Sequence, residues 1–228
     1  MPYQVTDSRL NALYGRSPQV IAYLDEAYET QRGRKHFYIM SALIIQGADR
    51  DRLRTDFINL VGGNFWHTTS SYGSAVGRQT VKEFVAFLAQ DNSTLLCVVD
   101  VDLDRFNDAE AARRHCFSAI STILDQAHRV DLIVFERRRA GVEENADNAT
   151  VHALQRKHST RDIRFHPGTP TSEPLLWGPD VVASVFRRRL ALGNSRWFEP
   201  IRTKTIVRKA TTGEIVHLDF AVDSTPER

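Results

Sequence analysis

Apolar runs and polar interruptions alternate along this 228-residue chain in a way that predicts an α/β protein. The first run, Val20-Ile21-Ala22-Tyr23-Leu24, follows Ser17-Pro18 and stops on Asp25-Glu26. Its β-branched and aromatic side chains predict a buried strand. A polar stretch containing Gly33 turns the chain, and residues 36–45 predict a second strand, close enough to pair antiparallel with the first. Leu53, Phe57, Leu60 and Val61 recur at helical spacing, so residues 48–61 predict a helix that Gly62-Gly63 stops. Residues 64–73 read as a short third strand running into a polar loop. Residues 80–90 predict an amphipathic helix with Val81, Phe84, Val85 and Leu88 on one face.

Residues 95–101 form the next apolar run, ending near Asp100, Asp102 and Asp104. A long helix is predicted over 107–128, with Cys116, Phe117, Ile120, Ile123, Leu124 and Ala127 as its core face. Residues 130–136 predict a fifth strand that stops on Glu136. The most polar part follows, and a helix over 142–158 would have only a thin apolar stripe of Val142, Ala149 and Leu154. Residues 163–166 add a candidate short strand. A helix is predicted over 180–192, with Pro179 suited to the first helical position and Asp180 in the first turn. Beyond Gly193-Asn194, residues 203–210 and 214–221 read as a hairpin around Thr211-Thr212-Gly213.

This order of elements predicts a mixed five-stranded sheet, an antiparallel edge joined to a parallel part by helical crossovers. Without internal repeats or low-complexity linkers, the expectation is one domain over 1–192 and a C-terminal hairpin extension over 193–228 packed on it. The extension offers a strand edge to a second copy or a protein partner.

Composition narrows the class. The chain is 42% hydrophobic and 25% charged, as in ordinary soluble proteins. No apolar run approaches the length of a membrane span, and the first residues lack the pattern of a secretory signal. Two cysteines, Cys97 and Cys116, fit a reducing cytoplasm, and no Cys-x-x-Cys or His-x-x-x-His spacing supports zinc. The formal net charge is only +2, yet arginines cluster at Arg137-Arg138-Arg139, Arg187-Arg188-Arg189 and Arg113-Arg114. Such patches beside acids suit a polyanion, with the arginines on its phosphates. Arginine near a helix C-terminus also complements the macrodipole, which is the structural alternative.

In a mixed sheet of this kind Asp25 sits on a central strand. Asp100 and Glu136 end neighbouring strands, and the last helix delivers Asp180 to the same edge. Carboxylates gathered there repel one another unless a divalent cation lies between them. Oxygen ligands without His or Cys favour Mg²⁺ or Mn²⁺, and two such ions about 4 Å apart serve phosphodiester cleavage.

Three stretches also carry a resemblance: Tyr23-Leu24-Asp25-Glu26 before a Phe-Tyr-Ile strand, Ile133-Val134-Phe135-Glu136-Arg137, and Pro174-Leu175-Leu176-Trp177-Gly178-Pro179-Asp180-Val181-Val182-Ala183. Over roughly residues 20–190 they resemble an uncharacterised bacterial family, a domain of unknown function with an RNase H-like fold. The resemblance implies a metal-dependent phosphodiesterase acting on nucleic acid. It makes Asp25, Glu136 and Asp180 the main cation ligands, Glu26 a secondary one, and His67 a phosphate contact or proton carrier; Asp100, whose strand alone matches, is a secondary ligand by its place at a strand end. Arg137, Arg138, Arg139, Arg187 and Arg188 would hold the backbone phosphates. Ala27 stands where that family has Ser, Pro179 where it has Ala, and Glu136 where it has Asp. An acid expected shortly after His67 is absent. These departures leave a second expectation open, a catalytically silent module that binds nucleic acid or a protein partner.

Overall fold

The computed structural model describes residues 6–31, 34–100, 109–156 and 163–216. Expectations about Gly33, Asp102, Asp104, the first residues of the 107–128 helix, the end of the 142–158 helix and most of the strand at 214–221 lie outside the described residues.

The first two apolar runs become β1 (Val20–Glu29) and β2 (Phe37–Gln46), an antiparallel pair in register from Val20 opposite Gln46 to Glu29 opposite Phe37. β3 (Thr94–Asp100) pairs antiparallel with the far side of β2. On the other side of β1, β4 (Leu132–Glu136) runs parallel to it, and β5 (Arg164–Gly168) runs parallel to β4. β6 (Thr205–Lys209) runs parallel to β3, which gives the order β5-β4-β1-β2-β3-β6. Without β6 the order is that of an RNase H-like sheet, with β2 alone reversed.

The sheet therefore has six strands, not five. No strand forms over 64–73. Trp66 instead packs its ring against Phe84 and donates its indole N–H to Thr68, anchoring a one-turn helix. The expected C-terminal hairpin contributes β6 to the main sheet, and Ile215 meets Arg208 only through an isolated bridge. β1 also continues past Asp25-Glu26 to Glu29, because β2 goes on pairing with it after β4 has ended.

The helices are α1 (Ser8–Tyr14), α2 (Arg50–Val61), α3 (Thr68–Ser71), α4 (Ala75–Gln90), α5 (Ala109–His128), α6 (Val142–Arg156) and α7 (Trp177–Leu192). Because side chains alternate along a strand, Ile21 and Tyr23 join a core with α1, α2, α4 and α7, while Ala22 and Leu24 join a second core with α5. α4 begins earlier than expected because Ser74 accepts from Gly77 N at 2.9 Å. α7 begins at Trp177, so Pro179 is its third residue, where the missing N–H has no intrahelical partner to lose. On α5, Cys116, Phe117, Ile120 and Leu124 are buried, whereas Ala127 is exposed. Of the expected stripe of α6, only Leu154 lies on its buried face. Val142 and Ala149 are exposed, and Asp147, Thr150 and Leu154 are covered. No described helix is long and apolar enough to cross a membrane.

Candidate active site

Strand register brings the first two acids together. Leu24 lies beside Phe135, so the next pair of positions is Asp25 and Glu136. Both side chains share the face of Tyr23 and Val134, the face covered by α7. α7 packs on β1 and β2, and its first turn presents Asp180 to the same place. Gly178 allows that approach, since a Cβ there would lie 2.7 Å from Leu43 Cδ2 and 3.2 Å from Phe57. Asp25, Glu136 and Asp180 line one cleft of about 340 Å³, together with Glu26, His67, Thr69, Ser184 and arginines 137, 138, 139 and 187.

The electrostatics follow from that crowding. Burial, then the charges of Asp180, Glu136 and Glu26, pushes the Asp25 carboxyl well above the ordinary range. Burial also raises Glu136 and Asp180. Asp25 and Glu136 influence each other's titration, so protons leave the crowded acids as a group and not from each carboxyl independently. Asp180 is partly relieved by Thr68, whose N–H and hydroxyl both donate to Oδ2. The exposed His67 ring lies beside the acids, with Nδ1 at 3.1 Å from Ser70 Oγ.

One expected acid is kept out of the cluster, and another reaches only its rim. Asp100 sits on β3 one position beyond Val99, so its side chain takes the opposite face of the sheet, where Oδ2 meets His115 Nδ1 at 2.9 Å. Glu26 reaches the cleft rim, but its carboxylate turns to the α5 side and takes Arg113 Nε on both oxygens, at 3.1 and 3.2 Å. The period of two along a strand makes this unavoidable for any Asp-Glu pair with one member in the cleft.

The arginines divide in the same way. Arg137 and Arg139 are exposed on the cleft, and Arg187 lines it while bonding Tyr28 O and Glu29. Arg138 lines the cleft as well, but its guanidinium is paired with Glu110 and Asp147. Arg188 stacks over the Tyr72 ring at 4.3 Å, away from the cleft, because it is two helical turns and a further 80° round from Asp180. The three tryptophans are buried and present no stacking surface.

The sequence left Thr68, Ser184 and Asp147 unmarked, and Arg113, expected on a phosphate, pairs with Glu26 and Asp147. Ser184 was findable, four residues after Asp180 on the same helical stripe. The others meet their partners only through tertiary packing.

No protein-family model matches the chain, and no curated protein matches it in sequence. The likeness to the bacterial family rests on the short motifs alone. Among solved structures, the ribonuclease H2 from Pyrococcus horikoshii OT3 is similar. It shares 12% identity over 81% of this chain and 76% of that chain, with a TM-score of 0.47. This adds nothing to what the strand order already shows.

Among the described residues, no group of three or more His, Cys, Asp or Glu side chains is arranged to enclose a metal ion. The donor set nonetheless fits Mg²⁺ or Mn²⁺. Mg²⁺ usually takes one or two carboxylates and fills its shell with water and substrate oxygens. Here Asp25 and Glu136 follow the last β1–β4 ladder pair on adjacent strands and Asp180 lines the same cleft, so the carboxyl donors are all oxygens.

Proposed function

We propose that this protein is a metal-dependent phosphodiesterase of nucleic acid, with Mg²⁺ or Mn²⁺ taken up in the cleft of Asp25, Glu136 and Asp180, one or two of these carboxylates reaching the ion directly. The observation that carries the reading is the meeting of these acids, from β1, β4 and α7, in one cleft, two of them side by side on adjacent strands. A cation held there would supply Lewis-acid activation of a water and stabilisation of the leaving oxygen. Arg137, Arg139 and Arg187 orient the phosphate backbone from the rim. His67 stands where it can contact a phosphate or pass a proton. The bacterial family named above, which has the same kind of fold, belongs to this reading.

A second reading is a silent module that binds without cutting. It is favoured by the two hydrogen bonds that already occupy Asp180 Oδ2. Cleavage of labelled single- and double-stranded DNA and RNA in Mn²⁺, with wild type and Asp25→Asn side by side, decides between them. The first reading expects wild-type cleavage and its loss in a folded Asp25→Asn variant. Equal activity in both proteins would remove the carboxylate mechanism. Binding without cleavage by wild type would establish the silent module.

A further inference from the structure

α6 is held to the molecule by charge. Apart from Leu154, its buried positions are Asp147 and Thr150. Asp147 is 3% exposed and accepts from two arginines, Arg113 Nη1 on one side and Arg138 Nε and Nη2 on the other. Each arginine is a fork whose remaining arm goes elsewhere. Arg113, itself 3% exposed, holds both oxygens of Glu26. Arg138 holds both oxygens of Glu110 on α5. The result is one ion chain, Glu26–Arg113–Asp147–Arg138–Glu110, joining β1, α5, α6 and the segment after β4.

Its two arms run back to the cleft. Glu26 is the neighbour of Asp25, and Arg138 lies two residues beyond Glu136. Leu24–Phe135 is the last pair of the β1–β4 ladder, so Asp25 and Glu136 stand at its end. Asp147 ties together the chain on both sides of that end. We infer that Asp147 is a positioning residue, which sets the spacing of Asp25 and Glu136 by gripping Arg113 and Arg138. This rests on the reading that those acids hold a cation. Arg138 grips Glu110 and Asp147 with paired nitrogens, and Arg113 spans Glu26 and Asp147 through Nε and Nη1, so the planar guanidinium makes the link directional, as a lysine's point charge would not.

Mn²⁺ titrated calorimetrically into the whole protein tests this, with thermal melts of each variant alongside. Asp147→Asn removes the charge. Arg113→Met with Asp147→Leu replaces the buried pair by apolar groups of similar volume, an exchange that protein interiors often tolerate. Asp91→Asn is the control, a buried carboxylate paired with Arg52 before β3, at the opposite end of the sheet. Loss of a group that orients cation ligands typically weakens affinity about 10- to 100-fold. The expected result is a loss of that size in both cleft-side variants, and unchanged Mn²⁺ affinity in Asp91→Asn even where its melting temperature falls. If Asp147→Asn does not fold, the double variant decides. Wild-type affinity in the folded cleft-side variants would overturn the positioning role and leave the cation reading intact. Failure of the wild-type protein to bind Mn²⁺ would remove both.

Discussion

Thr68 gives both its donors to one oxygen of Asp180, the backbone N–H at 2.8 Å and the hydroxyl at 3.0 Å. The hydroxyl proton has no other direction to take, because Trp66 Nε1 is a donor only and occupies Thr68 Oγ1 at 2.9 Å. Oδ2 is thereby filled, and Asp180 faces the cleft with Oδ1 as its free acceptor. Thr68→Val keeps the shape, removes one bond to the carboxylate and leaves the indole N–H unpaired. The expected cost is about 1.5–3 kcal/mol in denaturant unfolding, with Thr68→Ser close to wild type because both donors survive.

The raised acids make a prediction about pH with a definite sign. Asp25, Glu136 and Asp180 all hold protons in the native state above their ordinary values of 3.8, 4.5 and 3.8. The native state therefore binds more protons than the unfolded chain, and these groups lower stability as pH rises from about 4 upward. Asp25→Asn removes the largest such contribution. Without added cation the variant should be more stable at neutral pH by roughly 0.5–2 kcal/mol. That amounts to about 2–4 °C per kcal/mol in a chain of this size. Melting curves of both proteins between about pH 4 and 8 check it, and a wild-type advantage that grows with pH would contradict it.

Gly77 carries a steric prediction. A Cβ on this first-turn residue of α4 would lie 2.2 Å from the backbone oxygen of Ser71, which cannot swing aside as a side chain does. Gly77→Ala should push α3 outward, and with it Thr68. The expected loss is about 1–3 kcal/mol, accompanied by weaker Mn²⁺ binding. Gly63→Ala meets nothing within 4 Å and should leave both unchanged.

A fourth prediction concerns the fold alone. Glu173 is fully buried ahead of α7 and accepts from Arg54 Nε and Nη2 at 3.0 and 2.7 Å, and from Tyr14 at 2.6 Å. Glu173→Ala removes two of the three carboxylate bonds of the buried Arg54 guanidinium and leaves it only Asp51, an exposed partner. Urea unfolding should show a loss of about 3–5 kcal/mol.

Much of the architecture was legible because it depends on local pattern. The hairpin of β1 and β2, the strands at 94–100 and 132–136, and the helices around Phe57, Phe84, Phe117 and Val182 follow from spacing that any core must satisfy. The segment at 64–73 misled because its aromatic residues suit a strand as well as an anchor. Only the neighbouring α4, with Phe84 in place, selects the anchor. The 203–210 stretch was recognisable as extended, but which edge it joins depends on a partner more than a hundred residues earlier.

The site divides along the same line. The chain by itself determined that carboxylates end strands and open a helix, and the alternation of side chains along β1 determined that Asp25 and Glu26 face opposite ways. Tertiary structure alone decided which acids meet: register placed Asp25 beside Glu136, and packing of α7 on the sheet brought Asp180 to them. It also turned Asp100 to His115 and Arg138 to Asp147. The physical reason is range. Periodicity and propensity act over a few residues, whereas the contacts that assemble a charged cleft join positions that only the folded sheet makes neighbours.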